Sequence, residues 1–85
     1  MSWCVDIVRD ARKELARLPS PMQARIVRAI LALEDDPFPH GSKKLKNRDG
    51  WRIRVGDYRV LYFADTKAKQ ITVGVIGHRR DVYRG

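Results

Sequence analysis

Cysteine is nearly absent from this sequence. The single residue, Cys4, excludes an internal disulfide and a cysteine-rich metal site, and it fits a reducing compartment. Cys4 is expected to be a small buried apolar residue of a first strand, not a nucleophile. No apolar run is long enough for a transmembrane helix, and no signal or transit peptide is legible, so the expected setting is the cytoplasm, away from membranes. Acidic residues are also scarce, ten Asp and Glu against eighteen Lys and Arg. Asp49, Asp57, Asp65 and Asp81 are scattered without the spacing of a metal-binding cluster, so no metal and no cofactor is expected. Repeats, linkers and low-complexity tracts are absent as well. The 85 residues form one small domain, residues 1–85, near the low end of what folds alone.

What the chain does have is positive charge, and that charge is one-sided. Residues 1–42 carry six basic and six acidic side chains, whereas residues 43–85 carry twelve and four, so the second half holds the whole net charge of +8. A basic half of this kind suits nucleic acid or an acidic protein partner.

The stretch Trp51 to Phe63, WRIRVGDYRVLYF, reads as a hairpin. Trp51, Ile53 and Val55 alternate with Arg52 and Arg54, the period of a half-buried strand. Gly56-Asp57 suits a two-residue turn, since Gly takes the left-handed position without steric cost. That turn sets Val55 opposite Tyr58, Arg54 opposite Arg59, Ile53 opposite Val60 and Arg52 opposite Leu61. Opposed residues share a face. Arg52, Arg54 and Arg59 therefore lie on one face, and Ile53, Val55, Tyr58, Val60 and Tyr62 on the other. Three guanidinium groups side by side repel one another, which is most simply explained by a polyanion on that face.

Upstream, Trp3, Val5 and Ile7 alternate in a strand over about 2–8. A helix over about 9–18 places Ala11, Leu15 and Leu18 on one face, and Pro19 stops it. Ser20-Pro21-Met22-Gln23 predicts a second helix with a capping box, running to about Asp35. Its apolar stripe is Met22, Ile26, Ala29, Ile30 and Leu33. Residues 37–50 form a long loop carrying Lys43, Lys44, Lys46 and Arg48. Downstream, a Thr66 to Lys69 loop makes Gln70 to Gly77 a third hairpin strand. It would set Val60 opposite Val75 and Tyr62 opposite Val73, with Ile71, Val73 and Val75 on the apolar face. Thr72, Gly74, Ile76 and His78 would then join the arginine face. The expected order is β-α-α-β-β-β, an α+β fold: an antiparallel sheet with two helices packed on one face and a basic open face.

Guanidinium groups grip phosphate through paired charge-assisted hydrogen bonds. Arg79, Arg80 and the lysine-rich loop extend the cationic set, and Tyr83 offers a ring on which a base could stack. Metal-free RNA cleavage needs a base for the ribose 2′-OH, cations for the phosphorane and an acid for the leaving oxygen. Arg52, Arg54, Arg59, Arg79, His78, Lys46 and Tyr83 could supply these.

The runs KKLKNRDGWRIRVGDYRVLYF and ITVGVIGHRRDVYR resemble the RelE-type toxins of bacterial and archaeal toxin–antitoxin systems, within the RelE/ParE superfamily. The resemblance covers nearly the whole chain. It implies a prokaryotic, cytoplasmic mRNA endonuclease that cuts in the ribosomal A site, against 16S rRNA, and is neutralised by a cognate antitoxin. Operator DNA would be met only through that antitoxin. The cut it implies is metal-free 2′-OH attack. Arg52 and Arg54 stand where relatives carry two strand lysines. Arg59 matches the arginine of the G-x-Y-R motif, Arg79 the basic residue closing the last strand, and Tyr83 the C-terminal tyrosine. Lys46 matches a basic loop residue. Arginine stays protonated at neutral pH, so Arg52 and Arg54 are poor bases, and His78 becomes the expected one. The expected catalytic set is Arg52, Arg54, Arg59, His78, Arg79 and Tyr83. Lys43, Lys44, Lys46, Arg48 and Arg80 are expected to bind RNA. Three alternatives stand beside it: a ParE-like toxin that poisons DNA gyrase, against which the intact Arg52, Arg54, Arg59, Arg79 and Tyr83 set argues; a non-catalytic RNA-binding module, which leaves the clustering of a tyrosine and a histidine with the arginines unexplained; and a degenerate toxin acting only as a repressor with its antitoxin.

Overall fold

Apolar spacing builds the two helices. A computed structural model of the chain describes residues 3–80; Tyr83 lies outside them. After strand β1 (Cys4–Ile7), helix α1 (Arg9–Arg17) buries Ala11 to 1% exposure. Helix α2 (Ser20–Ala32) follows almost at once, with Ile26 and Ile30 on one stripe that continues into Leu33. The expected capping box does not form, because Pro19 is the N-cap and no side chain caps α2. Gln23 instead donates its side-chain amide to the Leu15 carbonyl, at 2.9 Å. The short link brings the end of α1 against the first turn of α2, where the Leu15 carbonyl, which also accepts from the Leu18 N–H at 3.2 Å, takes the amide as well.

The sheet contains β1, β2 (Lys43–Lys44), β3 (Trp51–Val55), β4 (Tyr58–Asp65) and β5 (Gln70–His78), in the spatial order β1-β5-β4-β3-β2. The expected all-antiparallel sheet is corrected at β1, which pairs parallel to β5. The expected long loop is also interrupted, since Lys43 and Lys44 pair antiparallel with Arg52 and Trp51. Leu45 N–H then donates to the Gly50 carbonyl at 3.0 Å, closing a tight turn. Asn47 (φ 62°) and Gly50 (φ 124°) supply its left-handed positions.

Both helices pack on one face of the sheet. Ala11, Ile26, Ile30 and Leu33 meet Ile53, Val55, Val60, Tyr62, Ile71, Val73 and Ile76 in a single cluster. Trp3, Phe38 and Trp51 close one end of it, with ring centroids 6.3 and 4.7 Å apart in turn. Cys4 is exposed, contrary to expectation. Val5 and Ile7 take the helix side of β1, which leaves Cys4 and Asp6 on the other side.

The β3–β4 register is the expected one at every position, with Gly56 at φ 60° in the turn. The β4–β5 register agrees up to Tyr62 opposite Val73 and then shifts. Gly74 is an extra residue, a β-bulge, so Leu61 meets Val75, Val60 meets Ile76 and Tyr58 meets His78. Beyond the bulge the faces exchange. Val75 and Gly77 stand with Leu61 and Arg59, whereas Ile76, 2% exposed, enters the core with Val60. The expected pairing of Val60 with Val75 and the expected place of Ile76 on the arginine face are both corrected.

Candidate nucleic-acid interface

The face of the sheet away from the helices carries Arg52 and Arg54 from β3, Arg59, Leu61 and Phe63 from β4, and Thr72, Val75 and Gly77 from β5. Its cations gather at two ends. At the β3–β4 turn, Arg54 pairs directly with Arg59. The Arg59 guanidinium folds back over the turn, its Nη1 donating to the Tyr58 carbonyl at 3.1 Å and the Gly56 carbonyl at 3.5 Å. Arg79 N–H donates to the Asp57 carbonyl at 2.8 Å, which ties the end of β5 to the same turn. Arg79 and Arg80, both exposed, therefore join Arg54 and Arg59 at one end.

The other end is the lysine loop. Lys43, Lys44, Lys46, Arg48 and Arg52 line a depression of about 570 Å³. Arg52 also borders a second cavity, of about 440 Å³, along the outer edge of β3 toward Ala29 and Ala32 of α2. Its Nη1 is buried and has no hydrogen-bond partner among the described residues. An unpaired buried donor is costly.

The loop is held by a buried phenol. Tyr62, 3% exposed, donates its hydroxyl to the Pro37 carbonyl at 2.6 Å. Burial pushes this phenol up to about 12 from its ordinary 10.0; the Ser42 hydroxyl pulls it down and the Asp36 carboxylate adds to the rise.

His78 is not where parity placed it. The bulge at Gly74 sets it opposite Tyr58, on the helix side of the sheet end, where the two rings meet edge to face at 5.6 Å. Its Nδ1 accepts from the Arg80 N–H at 3.3 Å. In the neutral ring this leaves the hydrogen on Nε2, a donor. The expected catalytic set is thus brought together in part: Arg54, Arg59 and Arg79 at the turn, Arg52 toward the lysine loop, and His78 on the other side of the sheet. The expected role of Tyr83 falls outside the described residues. Strand counting set Leu61 opposite Arg52 on this face, put Val75 on the apolar face and passed over Phe63. Leu61 is 4% exposed and Phe63 49%. The alternation Arg59-Leu61-Phe63 already contained the signal.

Comparison with known proteins agrees with this fold. Residues 5–83 match the family described as the ParE toxin of the type II toxin–antitoxin system parDE. Toxin RelG of Mycobacterium tuberculosis is 30% identical over 86 residues, 99% of each chain. The archaeal RelE–RelB complex from Pyrococcus horikoshii contains a chain with a TM-score of 0.85 and 31% identity, covering 96% of this chain and 100% of that one. The isolated RelE toxin of E. coli shares the fold at a TM-score of 0.79 and 20% identity, covering 99% of this chain and 88% of that one.

Proposed function

The chain belongs to the RelE/ParE superfamily of toxins of type II toxin–antitoxin systems, and from that premise we propose that it is a metal-independent endoribonuclease cutting mRNA in the ribosomal A site. The observation that carries this reading is the convergence of Arg54, Arg59 and Arg79 on one turn. Guanidinium groups brought together grip phosphate through paired charge-assisted hydrogen bonds. A ParE-like gyrase poison on the same fold is the second reading.

The chemistry is transesterification. The ribose 2′-oxygen attacks the adjacent phosphorus, its proton leaves to a base, and the bond to the 5′-oxygen breaks as that oxygen takes a proton. The products are a 2′,3′-cyclic phosphate and a 5′-hydroxyl. Arg54, Arg59 and Arg79 hold the phosphate and offset the charge of the phosphorane. Arg52 and the loop cations Lys43, Lys44, Lys46 and Arg48 track the flanking phosphates, with Arg80 beside Arg79. Tyr83 stacks on a base at the cut. Arginine does not take the proton. His78, on the far side with Nδ1 engaged, does not stand with the arginines that hold the phosphate.

The partner proposed on this reading is a cognate antitoxin, as in the RelE–RelB complexes that the fold resembles, with operator DNA reached through it. The setting proposed is the cytoplasm; no helix among the described residues is long and apolar enough to cross a membrane. The test is expression of the chain with and without its antitoxin, followed by mapping of mRNA 5′ ends and a gyrase supercoiling assay. New 5′-hydroxyl ends inside translated codons, with supercoiling intact, are expected. Inhibited supercoiling without new ends would assign the gyrase reading instead.

A further inference from the structure

Phe63 is a half-exposed aromatic residue in the middle of the sheet. It projects from β4 on the arginine face, 49% exposed, two positions from Leu61 and four from Arg59. Among the described residues it is the aromatic side chain on that face: Trp51, Tyr58 and Tyr62 take the helix side. Beside it lies a shallow depression of about 200 Å³ walled by Leu45, Leu61, Val75 and Thr72. Its floor is Gly74, where an added Cβ would meet nothing within 4 Å. Gly74, the residue at the bulge, puts a position without a side chain on the same depression as the ring.

Charge decides what fits. Arg48 and Asp49 both border the depression, so its border offers one cation and one carboxylate, a balance that favours an uncharged group between them. The walls are apolar. A flat, uncharged ring attached to a phosphate is the matching ligand. Resting on the ribonuclease reading above, we propose that Phe63 is the platform of a nucleobase-stacking subsite for single-stranded RNA. The base lies on the Phe63 ring over Gly74, and its phosphate reaches Arg48. Along an extended strand Phe63 stands about 14 Å from Arg59, so this base belongs to a nucleotide away from the cut. Such a contact sets affinity and tolerates any base, because every base has a π-face.

The test uses the full chain and a labelled 2′-O-methyl single strand that it cannot cut, free in solution and threaded through a stalled ribosome. Phe63→Leu keeps an apolar side chain and removes the π-face; Phe63→Trp enlarges it. Thermal unfolding confirms that both variants fold. Phe63→Leu is expected to weaken binding about tenfold, within the range for loss of one stacked base, and Phe63→Trp to match or exceed the parent. Stepping one abasic site along the strand should find a position where the parent loses the same affinity and Phe63→Leu loses nothing more. Phe63→Leu binding within twofold of the parent overturns the subsite, as does a loss equal for abasic strands at every position. A loss confined to antitoxin binding overturns it too and gives the patch to that partner. A parent that binds RNA in neither form takes down the ribonuclease reading along with the subsite. A parent that binds and cuts normally, with Phe63→Leu unaffected, removes the subsite alone.

Discussion

Replacing Tyr62 by Phe removes one oxygen from the middle of the molecule and tests what holds the lysine loop in place. The ring, 3% exposed, keeps its packing. The lost contact is the 2.6 Å hydrogen bond to the Pro37 carbonyl, which joins the sheet to the chain leading into β2. A net hydrogen bond contributes roughly 1 kcal/mol, and a carbonyl left unpaired in a half-buried loop adds to the loss, so a destabilisation of about 1–2 kcal/mol is expected at neutral pH. The pH dependence is the sharper measurement. Burial first, and Asp36 after it, raise the phenol from 10.0 to about 12 in the fold. The folded state therefore favours the protonated phenol. That stabilisation is complete below pH 10 and is lost as the pH rises through 12. A rise of this size corresponds to about 2–3 kcal/mol at the upper limit. Urea unfolding of parent and Tyr62→Phe in parallel isolates it, because the lysines titrate equally in both. The advantage of the parent should shrink steadily across this window. An advantage that is constant from neutral pH to pH 12, or absent at pH 7, would refute the role given to this hydroxyl.

Arg59→Ala is expected to lower mRNA cleavage by about 10²–10³-fold, the usual effect of removing one cation from a transition-state clamp, with thermal unfolding unchanged; undiminished growth inhibition at matched expression would move the site. His78→Gln is expected to cleave within about threefold of the parent, since the ring faces Tyr58 and its Nδ1 is engaged. A fall near 10²-fold, typical of a lost general base, would show that the end of β5 rearranges on the substrate. Gly50→Ala forces a side chain onto φ 124° with its Cβ 3.1 Å from the Tyr62 carbonyl oxygen. A loss of about 1–3 kcal/mol is expected, read as a lowered urea midpoint; a parental midpoint would mean the turn yields freely.

Local chemistry made the hairpin legible. Gly56-Asp57 allows one tight turn, and a two-residue turn leaves one register, so the sequence alone placed Arg52, Arg54 and Arg59 together and Ile53, Val55 and Val60 opposite them. The helices were equally readable, because Pro19 separates two apolar stripes. Tertiary structure decided what lay beyond such short-range constraints. Whether β1 joined β5 parallel depended on where two packed helices returned the chain. Cys4 turned outward because Val5 and Ile7 took the inner side. Ser20 and Gln23 carried a capping signal, but the neighbouring Leu15 carbonyl, brought close only by folding, took the amide. The largest decision was made at Gly74. An unbroken β5 would have put Val75 under the helices and Ile76 among the arginines. One extra residue instead buries Ile76 beside Val60 and turns His78 toward Tyr58. Strand counting could not see that step, since a bulge is chosen by the fit of the whole core and not by the residues on either side of it.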